Sequence, residues 1–216
     1  MTPLLTYFDV RGRAEVARLI LEETGSVYRE KRIQLDEWAA VKPTLAFGQL
    51  PLYEDGEYYI LQSNAIYRYL ARKHNLCGNS EIERVRCDVA AEACGDAWRT
   101  MSTFYWDPQF EQKRVEFEQT SLPALIAPLE VLLLQNRSGS GYWVGDALTL
   151  ADFMAWHFLD YVRPFSQRTL DRFATISAFK QRFETRPRIA AYLQSTRRPK
   201  TLTVSLASFG GTPETS

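Results

Sequence analysis

The chain has 216 residues, with 26 Lys plus Arg against 26 Asp plus Glu, so its formal net charge is zero at pH 7. Balanced charge gives no electrostatic pull toward nucleic acid or an anionic membrane, and neither is expected as a partner. Aromatic residues make up 13% of the chain, which favours an ordered fold over disorder, and the length suffices for one large domain or two small ones.

The start, Met1-Thr2-Pro3-Leu4-Leu5, lacks the basic and long apolar parts of a secretory signal. No apolar run in the sequence approaches membrane-spanning length, and a cytoplasmic protein is expected. Leu4 to Val10 reads as a short strand. In Arg13 to Glu23, the apolar residues Val16, Ala17, Ile20 and Leu21 form a helical stripe that Thr24-Gly25 stops. Val27 to Leu35 alternates as a second strand, so the opening is a β-α-β unit with a parallel pair and a right-handed crossover. Asp36 to Phe47 is irregular and contains Pro43. Gly48-Gln49-Leu50-Pro51 then forms a turn, followed by two short strands around Asp55-Gly56, a strong hairpin signal. A helix opens at Ser63, which occupies the expected N-cap, and runs to about His74. The N–H groups of such a helix start suit a carboxylate, so this stretch reads as the cradle of a small anionic ligand. The order β-α-β, loop, β-β-α resembles a thioredoxin-like half domain.

Cys77-Gly78-Asn79-Ser80 is a break, and little strand pattern lies beyond it. Cys77, Cys87 and Cys94 are too few for a disulfide framework, and their spacing fits neither a C-x-x-C pair nor a zinc site. With His74 and His157 the only histidines, no metal site is expected; both are read as structural, His157 as a satisfied core residue. Ile82 to Asp107 reads as one long helix whose charge run, Glu81 to Arg86, is a solvated face. Gln109 to Asn136 reads as a second helix, kinked by Pro123 and Pro128. Thr149-x-x-Asp152 is a capping box ahead of a very apolar helix from Leu150 to Val162. Shorter helices fall in Leu170–Arg186 and Pro187–Gln194. The polar tail after Arg197 is expected to be loose.

Chemistry enters with Tyr7, followed by Arg11-Gly12-Arg13 at the next helix start. A phenol donates a hydrogen bond to a thiolate and lowers the thiol's pKa, and a nearby cation adds to that effect. Taken alone, a strand tyrosine is packing. The run Tyr7-Phe8-Asp9-Val10-Arg11-Gly12-Arg13-Ala14-Glu15, however, resembles the opening of cytosolic glutathione transferases. Trp38, Phe47-Gly48-Gln49-Leu50-Pro51, Asp55-Gly56 and Gln62-Ser63-Asn64-Ala65-Ile66 continue the likeness in order. Gly145-Asp146-Ala147-Leu148-Thr149-Leu150-Ala151-Asp152 and Arg186-Pro187-Arg188-Ile189 match the second domain. The pi class is most similar, with the sigma-like class second.

The resemblance implies an α/β thioredoxin-like N-terminal domain over residues 1–76 and an all-α helical domain over 81–206, with a loose tail at 207–216. It implies conjugation of glutathione, a co-substrate, to hydrophobic electrophiles by a homodimer. A prostaglandin isomerase or peroxidase on the same fold, or a non-catalytic ligand-binding member, are the alternatives. Tyr7 would hold the thiolate, with Arg13 supporting the charge. Trp38 and Lys42 would meet the glycyl carboxylate. Gln49 belongs to the turn, the Leu50 backbone would pair with the cysteinyl unit, and Pro51 would be cis. Gln62 and Ser63 would hold the γ-glutamyl end, and Asp96 would reach its amine across a dimer interface. Phe8, Val10, Ser102 and Trp106 would wall the hydrophobic-substrate pocket, and Phe47 would plug into the partner subunit.

Overall fold

A computed structural model describes residues 1–216. The first part holds β1 (Leu4–Phe8), α1 (Glu15–Glu23), β2 (Arg29–Ile33), α2 (Trp38–Val41), β3 (Leu52–Asp55), β4 (Tyr58–Leu61) and α3 (Ser63–Lys73). Its four strands form one sheet in the order β2-β1-β3-β4. β1 pairs parallel with β2, Tyr7 opposite Arg32, and antiparallel with β3, Leu5 opposite Tyr53. This is the thioredoxin-like arrangement that the element order implied. The middle of β1 is buried because it is an interior strand covered by helices, and Tyr7 lies at its inner end.

The helical part holds α4 (Glu81–Phe104), α5 (Phe110–Glu116), α6 (Leu122–Leu134), α7 (Leu150–Asp171), α8 (Ala174–Glu184) and α9 (Pro187–Leu193). α7 is its axis: all residues from Leu150 to Val162 are buried, and α4 packs along it. Ser80 caps α4 by accepting from the Glu83 N–H at 3.2 Å. A π-turn, Phe117–Ser121, joins α5 to α6, with the Leu122 N–H reaching back to the Phe117 carbonyl. The next residue, Pro123, has no N–H to donate, and the wide turn absorbs the lost bond. The run Phe110–Leu134 is therefore a single helical rod of 25 residues, and an 18-residue stretch within it reaches a membrane span's mean hydropathy, 1.3. This corrects the expectation that no stretch is long and apolar enough. In the fold, Leu122, Ile126, Leu129 and Leu133 of that rod form a buried stripe at helical spacing.

Four other expectations change. The segment 36–47 is not irregular, since Trp38-Ala39-Ala40-Val41 forms a helical turn and Lys42–Thr44 a 3-10 turn. α7 continues past Val162, with its break at Ser166 (φ −156°, ψ 85°), two residues after Pro164. His157 is buried, and no protein group bonds either ring nitrogen. The tail is not loose. Leu202 is fully buried, Phe209 donates its N–H to the Tyr105 carbonyl at 3.2 Å, and Ser216 Oγ accepts from the Leu202 N–H at 3.2 Å. The tail's few apolar residues find a ready aromatic surface, with the Phe209 ring 4.8 Å from Tyr105 and 5.1 Å from Phe110.

Buried ions join the parts. Glu15 of α1 meets Arg18 at 3.2 Å and Arg198 at 2.9 Å, while Asp160 of α7 meets Arg198 at 2.5 Å and Arg11 at 3.4 Å. Arg18 also meets Glu30 of β2 at 2.5 Å, so three guanidinium groups face three carboxylates. Burial pushes Asp160 upward, but Arg198 and Arg11 outweigh it and hold the carboxyl at about 2.

The capping box of α7 is complete. Asp152 accepts from the Thr149 N–H at 2.8 Å, the Thr149 hydroxyl at 3.0 Å and the Trp143 N–H at 3.0 Å. Asp152→Ala strands these donors in a fully buried position. We expect it to lower stability by about 1–3 kcal/mol, measured as a fall in Tm, and an unchanged Tm would contradict a capping role.

Candidate functional site

The turn between β1 and α1 sets the geometry. Chain reversal places Arg13 so that its N–H donates to the Tyr7 phenol oxygen at 3.0 Å. That bond uses a lone pair of the oxygen and leaves the phenol's own O–H free to donate elsewhere. Burial pushes the Tyr7 pKa up, against lowering by the Arg13 N–H and by the charges of Arg13 and Arg18, so the phenol stays a neutral donor at ordinary pH. Gly12 makes the approach possible. It has φ +42°, and a Cβ there would lie 2.5 Å from the Tyr7 hydroxyl and 2.7 Å from its ring. Beneath, Arg18 donates to the carbonyls of Val10 and Arg11 at 2.9 and 3.1 Å and so pins the turn from the core side.

Two cavities meet at Tyr7. One, about 370 Å³, is walled by Tyr7, Phe8, Arg13, Trp38, the turn Phe47–Leu50, and Leu61-Gln62-Ser63. The other, about 480 Å³ and more apolar, is walled by Tyr7, Phe8, Val10, Trp38, Ser102, Trp106, Val204 and Leu206 among others. Both fall within the ~300–1,000 Å³ typical of small-molecule sites. Tyr7, Phe8, Arg13 and Trp38 border both.

The first cavity has a polar end. Gln62, with φ 71° and ψ 112°, is the residue at the N-cap of α3, and Ser63 is the first helical residue. This corrects the expected N-cap: the hairpin delivers Gln62 in the left-handed region, and no side chain caps the helix. The N–H groups of Ser63 and Asn64 therefore have no backbone partner. Gln62 Nε2 donates to Gln49 Oε1 at 3.4 Å, linking the two loops. The Leu50–Pro51 peptide is cis, and neither the N–H nor the C=O of Leu50 takes part in a backbone hydrogen bond. The cavity thus offers an uncapped helix end, a free backbone edge and a phenol O–H to one extended ligand.

Of the residues proposed from sequence, Tyr7, Arg13, Trp38, Gln49, Leu50, Gln62 and Ser63 line the polar cavity. Phe8, Val10, Ser102 and Trp106 line the apolar one. Lys42 does not line the first cavity; it packs beside Gly48, whose Cβ position would be 3.4 Å from the lysine side chain. Asp96 is exposed on α4, ion-paired with Arg99 at 2.6 Å, and lines neither cavity. Phe47 is 63% exposed at the edge of the first cavity. Sequence reasoning missed Gly12, Trp98, Thr203, Val204 and Leu206. Gly12 lay in plain view inside Arg11-Gly12-Arg13, while the tail residues carried no signal beyond scattered apolar positions.

Comparison with known proteins respects the same division. The profile "Glutathione S-transferase, N-terminal domain" matches residues 3–72, and "Glutathione S-transferase, C-terminal domain" matches residues 96–196. The chain is 37% identical to Glutathione S-transferase Mu 4 of Mus musculus, covering 97% of this chain and 99% of that protein. It is 35% identical to Glutathione S-transferase Mu 2 of Homo sapiens, over 97% and 99%. Among solved structures it resembles the pi-class glutathione S-transferase of Onchocerca volvulus, with TM-score 0.89 and 31% identity over 96% of this chain and 100% of that one. Mu-class and pi-class proteins thus stand together among its relatives, and the expected pi class is not singled out.

Gly12→Ala should cost roughly 1–3 kcal/mol through strain and the clash with Tyr7. Because the hydroxyl is the nearest atom, adding Tyr7→Phe should recover part of that loss. Thermal unfolding of the single and double variants checks both, and strictly additive losses would mean that the two groups are not in contact.

Proposed function

The chain belongs to the glutathione S-transferase family and is a glutathione transferase; from that premise we propose how its residues divide the work. The γ-glutamyl carboxylate takes the free N–H groups at the start of α3, with Gln62, Ser63 and Gln49 around it. The cysteinyl unit pairs with the free backbone edge of Leu50, ahead of Pro51. The glycyl end lies toward Trp38, with Lys42 moving in from beside Gly48. These placements put the thiol at Tyr7, between the two cavities. Asp96 reaches the γ-glutamyl amine of the partner subunit's site, which agrees with its exposure on α4.

The observation that carries this reading is the free Tyr7 O–H, its oxygen fixed by the Arg13 N–H at 3.0 Å where the cavities join. A free thiol has a pKa of ~8.5, and ionisation at pH 7 requires a drop of about two units, or ~2.7 kcal/mol. One hydrogen bond to a charged group is worth ~1.5–3 kcal/mol. The phenol alone therefore nearly suffices, and the positive Arg13 side chain adds the rest. The thiolate then attacks an electrophilic carbon held among Phe8, Val10, Ser102 and Trp106. A carbon–sulfur bond forms, and the electron pair leaves with the departing group or enters the acceptor's π-system. Catalysis is pKa lowering plus positioning.

The working unit is a homodimer. Phe47 is a large apolar side chain left 63% exposed beside the site. A groove of about 190 Å³ between α4 and α6, walled by Val85, Val89, Ala90 and Leu132, offers an apolar socket for the partner's copy. Val85 and Val89 are themselves exposed in the single chain. A cytoplasmic location suits the three free cysteines.

Tyr7→Phe should bind glutathione within about threefold of the wild type while conjugation of a chlorodinitrobenzene falls by about 10²-fold at neutral pH. Raising the pH toward the thiol's own pKa should narrow the gap, because glutathione then ionises unaided. A near-normal rate at pH 7 would sink the mechanism. Phe47→Glu should convert the sedimenting species from dimer to monomer, because a charge cannot enter an apolar socket. A dimer as tight as the wild type would remove Phe47 from the interface.

A further inference from the structure

Trp98 and His157 carry three of the seven buried side-chain nitrogen and oxygen atoms that have no hydrogen-bond partner. They belong to one stack. The Arg13 guanidinium lies 5.0 Å from the centre of the Trp98 ring, and His157 is stacked 5.0 Å from the same ring at an interplanar angle of 25°. The stack runs from the polar cavity to α7. Beside it, between α3, α4 and α7, is a cavity of about 20 Å³ walled by Ser63, Asn64, Tyr67, Arg99, Trp98 and His157 among others. Its wall shares Arg13 and Ser63 with the polar cavity.

We propose that this small cavity holds one ordered water bonded to His157, and that His157 is thereby a positioning residue that fixes Trp98 and, through it, the Arg13 guanidinium. A water needs about 10–15 Å³ and two to four polar partners, and this cavity has the room and includes Ser63, Asn64, Tyr67, Arg99 and His157 among the residues of its wall. An unmade hydrogen bond in a buried site is destabilising, so the two unpartnered ring nitrogens of His157 call for a partner beside them. Burial holds the imidazole at about 4, so the ring is neutral and has one donor and one acceptor for the water. The Glu15 and Asp160 carboxylates favour an imidazolium and Arg198 and Arg13 oppose it, and burial outweighs them. A phenyl ring would stack on Trp98 equally well but could not bind the water, which is the specific use of histidine at this place. The consequence for glutathione rests on the role of Arg13 proposed above; the water itself does not.

His157→Phe separates a watered site from a dry one by the sign of its effect. In a dry site it removes unsatisfied polar atoms and raises Tm. In a watered site it leaves the water without its main partner and lowers Tm, by about 2–4 °C for a loss near 1 kcal/mol in a chain of this size. We expect that fall together with a KM for glutathione raised about threefold to tenfold at a kcat within about twofold. A Tm at or above the wild-type value, or an unchanged KM, overturns the proposal. If the variant does not fold, wild-type protein labelled with 15N-histidine decides. The chain has only two histidines, so His74→Asn assigns the remaining ring signal to His157. A rotating-frame Overhauser cross-peak from that ring N–H to a bound water is expected, and its absence overturns the proposal. Wild-type conjugation activity is unaffected by either result, so failure here is distinct from failure of the proposed mechanism.

Discussion

The buried ion network is the constraint on which the site depends. Arg11, Arg18 and Arg198 stand against Glu15, Asp160 and Glu30, and they come from the β1–α1 turn, α1, β2, α7 and the segment after α9. Charges taken out of water gain little net stability, but removing one partner leaves an uncompensated ion at a cost of ~3–5 kcal/mol. The network is therefore an all-or-none fastening. Its residues also hold backbone. Arg11 donates to the carbonyls of Pro199 and Lys200 at 3.1 and 2.8 Å, and the N–H groups of Arg11 and Gly12 donate to Thr201 and Leu202 at 2.9 Å each. The turn that fixes Tyr7 is thus bound to α7 and to the chain's last segment at once.

That fastening explains why the tail is ordered despite its polar composition. Residues 199–202 lie as a strap along the Arg11–Gly12 turn, and the strap carries the next residues over the apolar cavity, where Thr203, Val204 and Leu206 form part of the wall. Local sequence holds no trace of this. A segment of Ser, Thr, Gly and Pro reads as loose because its order comes from partners some 190 residues away, Arg11 to Lys200 above all.

Elements whose signals are local were legible: the α1 stripe, the Asp55-Gly56 hairpin, the Thr149–Asp152 box and the long apolar α7. The site was legible in a different way. No single residue of it has a distinctive pattern, and the ordered set from Tyr7 to Ser63 was readable only as a likeness to a family. What failed did so for physical reasons. Ser63 looks like a cap in a linear sequence, but hairpin geometry puts Gln62 at that position in the left-handed region. His157 sits amid apolar helix residues, where a satisfied ring is the ordinary expectation, yet no protein donor or acceptor reaches it. Pro123 reads as a kink, yet the helix runs on through Phe110–Leu134, with a π-turn at Phe117–Ser121 just ahead of the proline.

The two cavities differ in what they offer a ligand. The polar one meets a ligand with directional groups: helix N–H donors, a backbone edge and two glutamines. The apolar one has few. Around it, hydrogen-bonding side chains beyond Tyr7 and Arg13 are mainly the hydroxyls of Ser102, Thr103 and Thr203 and the indoles of Trp98 and Trp106. Trp106 is 46% exposed and brings only an N–H donor where a phenol could both donate and accept. An apolar pocket discriminates by only ~1–3 kcal/mol per methylene, whereas a hydrogen-bonded one rejects wrong partners far more sharply. On the division of roles proposed above, the enzyme is strict about the thiol and permissive about what the thiol attacks, with the reactivity set at the phenol of Tyr7, which both cavities share.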